Sequence, residues 1–167
     1  MKTLYLCRHA KSSWADSGMD DFDRPLNERG LRNAPFMAMV FKNRGEPVDL
    51  MVSSPAKRAL ATAHHFVTAM GLAPERFQQD HSMYLAEVHR LVQLINGLPP
   101  PIHRAMLFGH NPGFSDLVDH FCDTDIGSLP TCGLVRIDFA LSEWTHLGRS
   151  TGTLVWADHP KGHTGQS

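Results

Sequence analysis

The stretch Thr3-Leu4-Tyr5-Leu6-Cys7-Arg8-His9 decides the reading of the fold. A short apolar run, Leu4 to Cys7, stops at two polar residues, which is the pattern of a strand over 3–7 that ends at a functional group. Met106-Leu107-Phe108-Gly109-His110 repeats the device, with a strand over 105–108 and a histidine just beyond it. In open α/β sheets ligands bind in the crevice past the carboxyl ends of the strands. Two histidines and an arginine delivered there predict one shared anion site.

Outward from these two strands the chain alternates between strand and helix signals. Between Lys11 and about Pro25 runs a loop rich in Ser, Asp and Gly, long for a compact domain and therefore expected to lie over the site. A helix is predicted over 27–42, with Asn27 as N-cap, an apolar stripe of Leu31, Ala34, Ala38 and Phe41, and Gly45 and Pro47 closing it. A strand over 49–53 leads to Ser54-Pro55, read as serine N-cap and proline at the first helical position, and the helix that follows runs to about Met70 before Gly71. Arg58 then falls in a first helical turn, where free N–H groups already favour an anion and a guanidinium adds a fork matched to phosphate oxygens.

A third helix is predicted over 87–96, with Val88, Leu91, Leu94 and Ile95 apolar, ending at Gly97 before three prolines. After the strand over 105–108, Asn111 reads as N-cap and Pro112 as the opening of a helix to about Phe121. Farther on, Val135, Ile137 and Phe139 alternate with Arg136 and Asp138, and 153–157 is another short strand, so this part reads as a half-exposed sheet edge. Residues 1–158 form one expected domain and 159–167 a polar, frayed tail.

Composition narrows the function classes. At 167 residues the chain can bury one self-sufficient core. Its 16 Lys and Arg nearly balance 17 Asp and Glu, so no net field favours nucleic acid or an anionic membrane, and anion binding must be local. Three cysteines without CxxC spacing oppose a disulfide framework or zinc ribbon. With no signal peptide and no apolar run long enough to span a bilayer, the expected location is cytoplasmic. Eleven histidines invite a metal reading, but none falls in HExxH or finger spacing, and scattered surface histidine accounts for the rest. Cys7 beside Arg8 is either a thiol with lowered pKa or a strand-end core residue.

Arg8-His9-Ala10-Lys11-Ser12-Ser13-Trp14, Asp23-Arg24-Pro25-Leu26-Asn27-Glu28-Arg29-Gly30, Ser53-Ser54-Pro55 with Arg58 and Thr62, and Gly109-His110-Asn111-Pro112-Gly113 occur in this order across nearly the whole chain. In combination they resemble the histidine phosphatase superfamily, and within it the small SixA-type protein phosphohistidine phosphatases. The usual Arg-His-Gly stands here as Arg-His-Ala. The resemblance implies a phosphoglycerate mutase-like fold, three layers with a mostly parallel central sheet, helices on both faces and an antiparallel C-terminal edge. It implies that His9 attacks phosphorus through a ring nitrogen to form a phosphohistidine enzyme, with Arg8, Arg58 and His110 around the phosphoryl group, and with no metal or cofactor. Lys11 and Ser12 could add hydrogen bonds to phosphate, or be ordinary solvated loop residues.

Larger members of the superfamily protonate the leaving oxygen with an acidic residue. Glu87 is the first candidate here, followed by Asp20, Asp21 and Asp23, although an acid in a first turn also simply complements the helix dipole. A phosphohistidine substrate needs less help, because its leaving imidazole has a reference pKa of roughly 6.5. The implied partner is a phosphohistidine protein of signalling or phosphotransfer systems. A small-molecule phosphomonoester phosphatase and a non-catalytic phosphoprotein-binding module stand as alternatives. Arg24 and Arg29 could widen a positive mouth for an acidic protein partner, or make local ion pairs near the helix start.

Overall fold

The computed structural model describes residues 1–163. Six strands, β1 (Lys2–Arg8), β2 (Leu50–Ser53), β3 (Phe77–Gln79), β4 (Arg104–Gly109), β5 (Leu134–Phe139) and β6 (Gly152–Asp158), form one sheet in the order β3-β2-β4-β1-β5-β6. The first four run parallel, while β5 is antiparallel to β1 and β6 antiparallel to β5. Four helices cover the sheet: α1 (Glu28–Asn43), α2 (Lys57–Met70), α3 (Val88–Asn96) and α4 (Gly113–Cys122). Among the described residues no helix is long and apolar enough to cross a membrane.

Strand geometry divides the core. Successive side chains point to opposite faces, so Leu4 and Leu6 of β1 join Val52, Leu107, Leu91, Ile95, Leu117 and Phe121 on the α3/α4 side. Tyr5 and Cys7 join Met51, Met106, Phe108, Met37, Phe41 and Phe66 on the α1/α2 side. A central parallel strand buried on both faces needs a continuous apolar run, which is why Leu4 to Cys7 shows no polar alternation. The three-layer arrangement with an antiparallel edge is therefore the one expected.

Several local expectations change. Leu31 is 57% exposed, because the buried face of α1 is Gly30, Asn33, Ala34, Met37, Ala38 and Phe41, and Leu31 lies at its margin. Helix α2 starts at Lys57 after Ala56, with no side-chain cap, so Ser54 is not the N-cap; its hydroxyl accepts from the Ala56 N–H at 3.3 Å in the preceding turn and meets His110 at the sheet end. Asn111 is displaced from the cap position by Pro112, yet its Oδ1 still accepts from the Ser115 N–H at 3.3 Å. Strand β3 has no sequence signature: it is three residues long, and Gln78 and Gln79 are exposed at the sheet edge. The expected fraying does not hold over 159–163, where Pro160 is buried in a 3₁₀ turn and His163 pairs with Asp158 at 3.0 Å. The remainder of that tail, 164–167, lies outside the described residues.

Parallel pairing brings the strand ends together. Arg8 pairs with Gly109 and Ser53 with Phe108, and the ladder continues one step through His9 N–H to Gly109 O (3.0 Å) and Ser54 N–H to Phe108 O (2.9 Å). His9, Ser54 and His110 thus leave the sheet side by side. The loop after His9 is clamped to the start of α1. The Asn27 side chain caps the Gly30 N–H at 2.9 Å, and the Asn27 N–H donates to Lys11 O at 3.0 Å. A Cβ on Gly30 would stand 2.2 Å from Lys11 O. Gly30→Ala is therefore expected to cost about 1–3 kcal/mol of stability, from the backbone shift it forces, seen as a lower urea midpoint with unchanged slope.

Candidate active site

His9 is buried and fixed by two neighbours. Its Nδ1 lies 2.7 Å from the Ala10 carbonyl oxygen, which can only accept, so Nδ1 carries the proton and Nε2 carries the lone pair. Arg58 Nε donates toward that Nε2 at 3.3 Å. Ala10 itself is fully buried, and its N–H donates to Thr62 Oγ1 at 2.9 Å, while the Thr62 hydroxyl donates to Arg58 O at 2.8 Å. One turn of α2 therefore sets both the guanidinium and the support beneath the imidazole.

His110 faces His9 across the crevice, with ring centroids 5.4 Å apart. Arg58 Nη2 approaches its Nδ1 at 3.5 Å, and its Nε2 is 2.8 Å from Ser54 Oγ. A donor on the Nδ1 side places the His110 proton on Nε2, where the serine hydroxyl accepts it. Arg8 donates through Nη1 to Leu129 O at 2.8 Å, and its buried Nε–H has no acceptor. A buried donor left unpaired at a strand end is the group an oxyanion would satisfy.

Electrostatics keep both rings neutral. Burial pushes His9 down to about 4, against the Ala10 carbonyl, which favours the charged form, and with Arg58, Arg8 and Arg24 adding to the depression. Burial, then the competition with a protonated His9 and the charge of Arg58, pushes His110 down to about 3. The crevice, about 230 Å³, is lined by Arg8, His9, Lys11, Ser12, Trp14, Asp21, Arg24, Arg58, Leu85, His110, Asn111 and Thr131. Three arginines and a lysine thus face one carboxylate.

That carboxylate is Asp21, delivered by the long loop. It accepts from Arg58 Nη2 at 3.0 Å, from Arg24 Nε at 3.1 Å and from the Tyr84 hydroxyl. Burial alone would raise Asp21, but the bonds from Tyr84, Arg58 and Arg24 outweigh it and hold the carboxyl at about 2. It is ionised at neutral pH and has no proton to give. Glu87 does not line the crevice: it stands at the N-cap of α3, its side chain 83% exposed and 3.6 Å from His89, and it lines a neighbouring cavity that shares only Leu85 with the crevice. Its place outside the site corrects the expectation for Glu87, and the reason is that the N-cap position of α3 leaves its side chain in solvent beside His89. Asp20 and Asp23 are exposed.

Arg8, His9, Arg58 and His110 are brought together, and Lys11 and Ser12 line the same crevice. The Ser12 hydroxyl already accepts from Arg24 Nη1 at 2.6 Å, so its first task is to hold that arginine. Arg24 is buried, not a surface residue, and lies 3.5 Å over the Trp14 ring. Arg24 is thus a site residue and not a local surface ion pair, Ser54 serves the site through His110, and Tyr84 joins it through Asp21. Arg24 carried a signal in Asp23-Arg24-Pro25-Leu26 at the end of the loop, and Ser54 in Ser53-Ser54-Pro55; Tyr84 carried none. Cys7 is a core residue, and burial pushes its thiol up.

Residues 4–83 match the sequence model described as histidine phosphatase superfamily (branch 1). Among solved structures, the proposed phosphohistidine phosphatase SixA from Agrobacterium tumefaciens is 29% identical, covers 95% of this chain and 98% of its own, and has a TM-score of 0.81. A protein histidine phosphatase SixA complexed with tungstate covers 96% and 98% with a TM-score of 0.80, at 18% identity a likeness of fold alone. An uncharacterised protein of Mycobacterium tuberculosis is 34% identical over 110 residues, 66% of each chain.

Neutral buried imidazoles make stability depend on pH in a definite sense. The folded pKa values of His9 and His110 lie below the unfolded value of 6.5, so between about 6.5 and 3 the unfolded chain binds more protons. Stability contributed by these rings is complete above 6.5 and is lost as pH falls through that window. Urea midpoints measured from pH 7 to 4 should fall with acid, and His9→Asn with His110→Asn should flatten the slope.

Proposed function

We propose that this chain, which belongs to the histidine phosphatase superfamily in its small SixA-type form, hydrolyses protein phosphohistidine through a covalent intermediate on His9. One observation carries the reading: Nδ1–H of His9 is tied to the Ala10 carbonyl, so the Nε2 lone pair is turned into a crevice of guanidinium groups. A ring nitrogen that is neutral, buried and beside anion-binding donors is what nucleophilic attack on phosphorus needs.

In the first step His9 Nε2 attacks phosphorus as the bond from phosphorus to the substrate's imidazole nitrogen breaks. The substrate ring, protonated on its other nitrogen, keeps that electron pair and leaves as neutral imidazole, while the phosphorylated His9 ring, with its proton still on Nδ1, carries the positive charge. In the second step a water oxygen attacks phosphorus as the bond to Nε2 breaks; both water protons leave with inorganic phosphate, and His9 regains its Nε2 lone pair and returns to its neutral form. Arg8 and Arg58 stabilise the equatorial oxygens as charge redistributes during each in-line transfer. Entry of a phosphoryl dianion raises the pKa of His110, which favours a proton on its Nδ1 and a further donor to the phosphate.

The missing acid supports the substrate class. Asp21 is ionised and Glu87 lies outside the crevice, so no buried carboxylic acid stands ready for an alkoxide. An imidazole with a reference pKa of roughly 6.5 leaves without one. No Lewis-acid step is required by these residues, and no cofactor enters the steps. Under this reading the partner is a phosphorylated protein, and the expected location remains the cytoplasm.

Steady-state hydrolysis of a phosphohistidine peptide and of an alkyl phosphate tests it. The peptide should turn over at least about a hundredfold faster in kcat/KM, since proton donation is worth roughly 10²–10⁴ in rate. Arg58→Ala should lower kcat on the peptide by about 10²–10³, the effect of removing one preorganised charge-stabilising donor. Comparable turnover of the alkyl phosphate would reassign the chain to small phosphomonoesters.

A further inference from the structure

A second cavity of about 210 Å³ adjoins the crevice, sharing Lys11 and Thr131 with it. Its other walls are Arg29, Asn33, Pro130, His159, Pro160 and Lys161, and none of its lining residues is acidic. Among the described residues Lys11, Arg29 and Lys161 have no carboxylate within ion-pair distance. Asp158, close in sequence, is already engaged by Arg44 at 2.9 Å and His163 at 3.0 Å.

Three separate segments are held in place to make this cluster. Gly30 presses against the Lys11 backbone, which sets Arg29 beside Lys11. The 3₁₀ turn Pro160–Gly162 is anchored by buried Pro160, by the His163–Asp158 pair, and by the edge of His163 on Phe36 at 5.4 Å, which carries Lys161 to the same place. Uncompensated like charges repel, so their assembly on a chain of net charge −1 is explained by an anionic occupant.

We propose that this cavity is an anion subsite that receives an acidic side chain of the protein whose phosphohistidine enters the crevice. The inference rests on the phosphohistidine reading and names what the partner must carry beside its phosphorylated residue. Lys11 and Lys161 are exposed, so their charges lie toward solvent, where a docking protein meets them first. Because Lys11 borders both cavities, a carboxylate a few residues from the phosphohistidine bridges them along an extended chain, at roughly 3.3 Å per residue.

Two peptides of equal length, each phosphorylated on one histidine with phosphoramidate, test this, one flanked by glutamates and one by serines. Wild type should prefer the acidic peptide about fivefold to tenfold in kcat/KM at low salt, and the preference should shrink as salt rises. Arg29→Glu with Lys161→Glu should abolish the preference through KM while the serine peptide is hydrolysed at the wild-type rate, which also shows that the variant is folded. Arg29→Gln with Lys161→Gln should give an intermediate loss. Equal turnover of both peptides by wild type, or equal loss on both in the variants, overturns the subsite and leaves the phosphohistidine reading intact. Failure of wild type to hydrolyse either peptide overturns that reading and the subsite with it.

Discussion

The 2.7 Å hydrogen bond from His9 Nδ1 to the Ala10 carbonyl sets the terms for everything else in the crevice. It fixes which nitrogen holds the proton and which way the lone pair points. That bond exists because β1 ends one residue earlier, because Ala10 is buried, and because Thr62 on α2 receives the Ala10 N–H at 2.9 Å. The same helix turn presents Arg58. The support beneath the nucleophile and the first cation above it are consequently one rigid unit, which is the condition for keeping a reacting group preorganised.

Concentrating Arg8, Arg24, Arg58 and Lys11 in a partly buried crevice costs free energy through mutual repulsion and lost hydration. Asp21 offsets part of that by accepting from two of the arginines and from Tyr84. The arrangement explains why the carboxylate nearest to the nucleophile is a poor proton donor. Its affinity for guanidinium groups and its usefulness as an acid oppose each other, and here the first wins. A substrate whose leaving group needs little protonation is the one consistent with that outcome.

The apolar runs Leu4 to Cys7 and Met106 to Phe108 announced the central strands because a two-face-buried parallel strand has no room for polar alternation. Arg8, His9, Arg58 and His110 were legible for the same reason, as polar residues at the ends of such strands or in the first turn after one. What sequence did not show depended on contacts between distant segments. Leu31 has helical spacing but lies beyond the margin of the face that α1 buries. Ser54 has the chemistry of an N-cap and its hydroxyl does accept from the Ala56 N–H at 3.3 Å, but its tie to His110 at 2.8 Å depends on a distant segment. Asp21 and Glu87 are alike as acids in a sequence; the backbone path, bringing one to Arg58 and turning the other to solvent, separates them. Tyr84 gave no signal at all, since its role exists only through contacts with Asp21 and with the His110 ring, 5.5 Å away.

In the proposed reaction His9 carries the phosphoryl group on Nε2. Rapid quench in base after mixing with a phosphohistidine peptide, followed by phosphorus NMR and tandem mass spectrometry of the trapped enzyme, reads both the residue and the ring nitrogen. Acid-labile phosphate is expected on Nε2 of His9 and absent in His9→Ala. Phosphate on Nδ1 of His9, or on any other residue, would contradict it.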